Sequence, residues 1–234
     1  MRSFGELWRS TIITKWVMAI TGILIVGFLL AHVSGNLLIF AGRAAMNEYG
    51  VWLRELGHGT LIWALRVGLL VAFVLHIWSG IRMAALNRAA RPVGYKQFKN
   101  RTSSLPARTM LLTGVLILLY AGYHLAHFTW GIAHPEYYHG IEEYNNGFQT
   151  LTRPDIYTMV IQSFQQPLIV VIYLLSMVVV TMHLNHAINS AFQTLGINHP
   201  KYNTLLINGS RGLSVLIFLA YSSIPVAILT GFVK

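Results

Sequence analysis

Five long runs of apolar residues, interrupted only by scattered polar side chains, set the rhythm of the chain: about 16–40, 60–86, 110–133, 157–189 and 213–233. A helix rises 1.5 Å per residue and needs roughly 20 apolar residues to cross the hydrocarbon core, so each run predicts a transmembrane helix. The polar stretches between them are short, and the longest, 87–109 and 134–156, are loop-sized. In "AAMNEYGVWLREL" the positions of Met46, Tyr49, Val51, Leu53 and Leu56 predict a helix lying along the membrane surface. The opening "MRSFGELWRS" predicts a short interfacial helix with Phe4, Leu7 and Trp8 as its apolar side. No cleavage site of small residues follows it, so the first run is expected to stay as a helix. Pro167 and Pro225 are expected to kink their helices. The pattern therefore predicts an all-α membrane protein, one domain over 1–234 with five spans.

Composition sharpens this picture. Hydrophobic residues make up 55% of the chain and charged ones 10%, with a mean hydropathy of +0.56, against about 25% charged residues in an average soluble domain. Little chain is left for a soluble catalytic domain. The absence of cysteine excludes disulfides, thiolate-held iron–sulfur clusters and a cysteine-ligated haem within this chain.

The charges are sorted by side. Arg2, Arg9 and Lys15 precede the first run, Arg82, Arg88, Arg91, Lys96, Lys99, Arg101 and Arg108 surround the second connection, and Lys201 and Arg211 lie in the fourth. The alternate segments carry Arg43, Arg54, Arg153 and Lys234 with six of the seven acids: Glu48, Glu55, Glu136, Glu142, Glu143 and Asp155. By the positive-inside rule the N-terminus is cytoplasmic and the C-terminus outside. The net charge of +10 is then a property of the cytoplasmic face, suited to anionic lipid and a docked soluble partner rather than to nucleic acid. Trp16, Trp52, Trp63, Trp130, Tyr157 and Tyr221 fall where an interfacial aromatic belt is expected.

Histidines inside the runs bring in chemistry. His32 lies about 24 Å from the cytoplasmic start of the first helix and His124 about 21 Å from that of the third. His76 and His183 lie about 24 Å from the outer starts of the second and fourth. The result is an outer pair, His32 with His124, and an inner pair, His76 with His183, each drawn from two helices. Two axial imidazoles must face each other across a porphyrin from separate segments, so histidines three apart on one helix cannot share a haem. Hence His127 and His186 need other roles. The competing readings are polar packing between helices, zinc, or a proton relay. Zinc lacks an HExxH motif or a buried acid, and a relay lacks an intramembrane Asp or Glu. Ala31, Ser34 and Gly35, Ser79 and Gly80, and Gly122 and Ala126 would let a flat macrocycle approach, or serve simply as small-residue packing.

The contexts "AHVSGN", "LHIWSG", "YHLAHF" and "MHLNHA", one on each of the first four runs, resemble the dihaem cytochrome b membrane anchor of succinate:quinone oxidoreductases and fumarate reductases, the respiratory complex II superfamily. The resemblance covers about 12–232. It implies that the first four helices form a haem-binding bundle. Two b haems are expected, the outer held by His32 and His124 and the inner by His76 and His183. It also implies a multi-pass subunit in the cytoplasmic membrane of a prokaryote. A flavoprotein and an iron–sulfur subunit would dock on the cytoplasmic face, and electrons would pass to or from a quinone, menaquinone in dihaem anchors of this kind. Succinate itself would be handled elsewhere in the complex.

Of the remaining polar residues, Arg82, Arg66, His127 and His186 are candidates for haem propionates or a quinone oxygen. Glu55 and His58 are candidates for proton exchange at an outer quinone site, or ordinary interfacial residues. The fifth run has neither histidine nor charge in its apolar part and reads as a packing helix. Two other functions stay open: the cytochrome b of a different quinone-linked enzyme, of nitrate reductase, formate dehydrogenase or hydrogenase type, and a haem-free transporter or scaffold.

Overall fold

A computed structural model describes residues 10–90, 93, 104–138, 140–145 and 148–234. The expected interfacial helix with Phe4, Leu7 and Trp8, and the basic residues Arg2, Arg9, Arg91, Lys96, Lys99 and Arg101, lie outside the described residues.

Helix α1 spans Thr11–Asn36 and tightens into a 3₁₀ turn over Leu37–Ala41; α2 is Arg43–Glu55 and α3 Thr60–Ala89. A short α4, Leu105–Arg108, leads into α5, Met110–His124, which widens into a π-turn over Leu125–Thr129. After α6, Pro135–Tyr138, come strands β1, Ile141–Asn145, and β2, Thr150–Pro154, then α7, Ile156–Phe164, α8, Pro167–Thr194, and α9, Pro200–Leu229. Five segments are long and apolar enough to cross a membrane: Thr11–Ala41, Thr60–Ala89, Met110–Thr129, Pro167–Thr194 and Pro200–Leu229. In hydrocarbon every backbone N–H and C=O must find its partner within the segment, which is why such runs fold as helices.

Several elements differ from the pattern reading. The fourth run divides at Gln165, and Pro167 opens α8 rather than kinking a single helix. At the first turn of a helix the missing N–H of proline costs no hydrogen bond. α9 begins at Pro200, earlier than the apolar run at 213, because helix propensity carries on through polar residues that hydropathy ignores. Pro225 lies inside α9, which continues past it. The third connection is not purely helical: β1 and β2 pair antiparallel, Ile141 opposite Pro154 and Asn145 opposite Thr150. The expected surface helix over 44–56 is α2, with Met46, Asn47 and Gly50 buried.

The chain divides into two compact units, Met1–Phe28 with Val67–Val115 and Val180–Val215, and Leu29–Arg66 with Leu116–Val179 and Leu216–Lys234. Among the described residues, the first unit carries Lys15, Arg82, Arg88, Arg108, Lys201 and Arg211 and no acid, and every described acid lies in the second. The second has an apolar core that includes Ile39, Met46, Phe164, Val170, Tyr173 and Ile228. It also holds a polar knot. Asn47, 0% exposed, donates to Glu142 and to Asp155 (3.0 Å) and accepts the Tyr157 N–H (2.9 Å). Arg43 pairs with Asp155, and buried Arg153 with Glu142 at 2.6 Å. Together these bonds fasten α2, the hairpin and the start of α7 to one another. Close approach in this unit depends on small residues: a Cβ on Gly50 would collide with Ile156, and one on Gly35 would stand 2.5 Å from the Tyr49 ring. Gly35 thus makes room for Tyr49.

Candidate functional site

Two histidine pairs meet edge-on, one in each unit. In the first unit the rings of His76 on α3 and His183 on α8 are 6.4 Å apart between centres and inclined at 66°. In the second, His32 on α1 and His124 at the end of α5 are 5.8 Å apart and inclined at 76°. These are the pairings that depth along the runs predicts.

Helix hydroxyls set the proton positions in the first pair. A Ser or Thr inside an apolar helix commonly gives its one hydrogen to a carbonyl a turn back, leaving its oxygen free to accept. Thr113 bonds the Thr109 carbonyl in this way (3.0 Å), so its contact with His183 Nδ1 (3.1 Å) is an N–H donated by the imidazole. His76 Nδ1 faces the Met18 carbonyl (3.1 Å), which can only accept, and also Thr21 Oγ1 (3.3 Å), whose hydrogen goes to the Val17 carbonyl. Both imidazoles therefore carry their proton on Nδ1 and leave a bare Nε2. A carbonyl or hydroxyl holding the far nitrogen is the usual support of a metal-ligating histidine. Glycines flank both rings: a Cβ on Gly22 would come within 3.2 Å of His76 Cε1, and one on Gly114 within 3.7 Å of His183 Cε1.

The second pair has a different surround. The Asn36 amide nitrogen lies 3.3 Å from His32 Nε2, and the Tyr221 ring 6.0 Å from the His32 ring. The Tyr221 hydroxyl donates to the Leu29 carbonyl at 2.8 Å. His124 Nδ1 approaches the Tyr173 hydroxyl at 3.4 Å, and His127 Nδ1 approaches the same hydroxyl at 3.1 Å. His127 is 1% exposed and stacks on Phe128. Its Nε2 bonds Ser163 at 2.9 Å, so both ring nitrogens are occupied within the protein.

A bis-imidazole metal tests the arrangement. Metal–nitrogen bonds of about 2 Å on either side place two ring centres roughly 6 Å apart, which matches both separations. The bare Nε2 atoms of His76 and His183 are the ligand form. His76 and His183 thus fit two axial positions of a haem in separation and in ligand form; His32 and His124 fit in separation, with the Asn36 amide at His32 Nε2. Among the described residues no group of three or more His, Cys, Asp or Glu side chains is gathered for a metal ion.

Other candidates are placed more loosely. The Arg82 guanidinium lies over the Trp78 ring at 5.3 Å, and its Nε is buried without a hydrogen-bond partner among the described residues. Such an orphaned cationic donor calls for an anion. Arg66 is exposed and lies over Trp63 at 5.0 Å. His186 is partly buried on α8, one turn beyond His183. Glu55 ends α2, and His58 sits exposed between Gly57 and Gly59 in a turn whose three residues all have positive φ. Ser79 is 0% exposed and bonds the Leu75 carbonyl, a packing role. No atom contacts a Cβ position at Gly80 or Gly122 within 4 Å.

Sequence reasoning missed Thr21, Thr113, Tyr173 and Ser163. The available signal was a hydroxyl inside an apolar run, where it needs a partner; which partner it finds is a matter of tertiary contact. No model of a protein family matches the chain, and neither does any curated protein or solved structure.

Proposed function

We propose that this chain is a dihaem cytochrome b, the membrane anchor and electron-transfer subunit of a succinate:quinone oxidoreductase of the complex II type. The observation that carries the reading is the facing of His76 and His183, each held through Nδ1 with a bare Nε2. His76 and His183 would hold one haem and His32 and His124 the other. Bound there, a haem supplies a one-electron couple that lets two-electron donors and acceptors exchange electrons singly.

The protein's own contribution is orientation and electrostatics. Met18 and Thr113 fix the tautomer and rotation of their histidines and raise ligand basicity. Arg82, with a buried donor left over, is suited to a haem propionate. The basic residues concentrated in alternate segments of the sequence, with every described acid in the second unit, support a cytoplasmic N-terminus, an outside C-terminus and a cytoplasmic face for the iron–sulfur and flavoprotein partners. The quinone, menaquinone in this reading, would exchange electrons from within the bilayer.

A dithionite-reduced minus oxidised spectrum with pyridine haemochrome quantitation tests the reading. Two haem b per chain are expected. A folded chain that purifies without haem overturns it in favour of a haem-free transporter or scaffold. Co-purification with a molybdenum or nickel subunit, instead of a flavoprotein with succinate activity, would assign the chain to another quinone-linked enzyme.

A further inference from the structure

We infer that Tyr173 is the positioning residue for His124, fixing its imidazole through a one-way hydrogen-bond chain that runs by way of His127 and Ser163 to the Met159 carbonyl; this rests on His124 being a haem ligand.

The chain is directed from its far end. The Met159 carbonyl can only accept, and Ser163 gives it its hydrogen at 2.7 Å. Ser163 Oγ must then accept from His127 Nε2 at 2.9 Å. His127 is 1% exposed, with hydroxyls rather than a carboxylate as its hydrogen-bond partners, so it is the neutral imidazole with a single N–H. That proton is on Nε2, and Nδ1 is an acceptor. The Tyr173 hydroxyl, 3.1 Å away, therefore donates to it. With its only hydrogen spent, the phenol oxygen can serve His124 Nδ1, at 3.4 Å, only as an acceptor. His124 is left protonated on Nδ1 and bare on Nε2. Two histidines three residues apart thus hold opposite tautomers, and each depends on the other through one phenol.

The arrangement requires the local geometry. The π-turn over Leu125–Thr129 begins directly after His124, and with it both histidines reach a single hydroxyl. Phe164 and Tyr120 pack edge-on against the Tyr173 ring at 5.0 and 5.4 Å, holding the phenol in place. His183 and His76 are supported differently, on a helix hydroxyl and a backbone carbonyl. A phenol that donates its own hydrogen becomes the better acceptor. It pulls on the His124 N–H, and a more basic axial ligand favours the oxidised metal. The Tyr173 hydroxyl therefore lowers the potential of one haem only.

The experiment is a redox titration of the haem-loaded protein carrying Tyr173→Phe, which keeps the ring and removes the hydroxyl. The expected result is an upward shift of one haem's midpoint potential with the other unchanged. Selective loss of that haem while the other is retained counts the same way. Ser163→Ala, which should leave His127 without its acceptor, gives a smaller shift of the same sign and serves if Tyr173→Phe fails to fold. In parallel, ¹⁵N spectra of histidine-labelled protein, with His127 assigned by its disappearance in His127→Gln, should show its proton on Nε2. Unchanged potentials in a folded variant, or a His127 proton on Nδ1, overturn the inference. If the unaltered protein holds no haem, the proposed function fails, and the His127 spectrum still decides the direction of the chain.

Discussion

Gly22 lies against the imidazole of His76, so close that a Cβ there would stand 3.2 Å from Cε1. The His76 ring is also held from its Nδ1 by the Met18 carbonyl, so it has little freedom to retreat. Gly22→Ala should displace the ring, and haem b per chain should fall from two toward one. Gly27→Ala, where no atom lies within 4 Å of the new Cβ, should leave both haems in place. Pyridine haemochrome quantitation of the two variants is the check.

Removing ligands should act by pairs. His76→Ala and His183→Ala are expected to lose the same haem, and His32→Ala and His124→Ala the other. Each single variant keeps one haem, and a double variant within a pair loses no more than a single one. Potentiometric titration of the haem that remains identifies it. If His32→Ala and His76→Ala proved to lose the same haem, the pairing would be wrong.

Thr113→Val keeps shape and removes the acceptor for the His183 N–H at 3.1 Å. Leaving a buried donor unpaired costs on the order of 1–3 kcal/mol. The haem of that pair should dissociate more readily in detergent, and Thr113→Ser should restore retention. Haem content followed over time gives the measurement.

Asn47→Ala addresses the polar knot. The side chain is fully buried between Glu142, Asp155 and the Tyr157 N–H. Its loss leaves partners unmatched and should destabilise the second unit by about 2 kcal/mol. Thermal unfolding followed by near-UV circular dichroism reads this directly, with haem content expected to survive at moderate temperature.

Asp155 ties that knot to pH. Burial alone would raise its carboxyl, but hydrogen bonds from Arg43, Thr158 and Asn47 outweigh it and hold the group well below the usual carboxylate range. A carboxyl lower in the folded than in the unfolded state stabilises the fold above its unfolded value of about 3.9 and loses that contribution as pH falls through the folded value. The stability difference between the unaltered protein and Asp155→Asn should be constant above about pH 5 and shrink below about pH 4. A gap that instead widened toward low pH would contradict the arrangement.

Much of this architecture is legible along the chain because its cause is local. Apolar runs long enough to cross the hydrocarbon core must satisfy their own backbone, and five such segments stand where the hydropathy pattern places them. The histidine pairs follow from the same simplicity: a constant rise per residue converts sequence position into depth. The hairpin of β1 and β2 was not legible, since "IEEYN" and "TLTRP" are too short and polar to separate from loop. Nor was the break before Pro167, because an apolar run reads the same whether it is one helix or two.

The sequence by itself thus determined the number of spans, the sorting of charge and which histidines share a level, for these depend on residue type and spacing alone. Tertiary structure alone decided which partner each polar atom finds: Met18 for His76, Thr113 for His183, and Tyr173 shared by His124 and His127. Hydropathy treats a hydroxyl in an apolar run as a small penalty. Once its one hydrogen is committed to a carbonyl, the oxygen becomes an acceptor of fixed direction, and only the neighbouring helix settles what that acceptor holds.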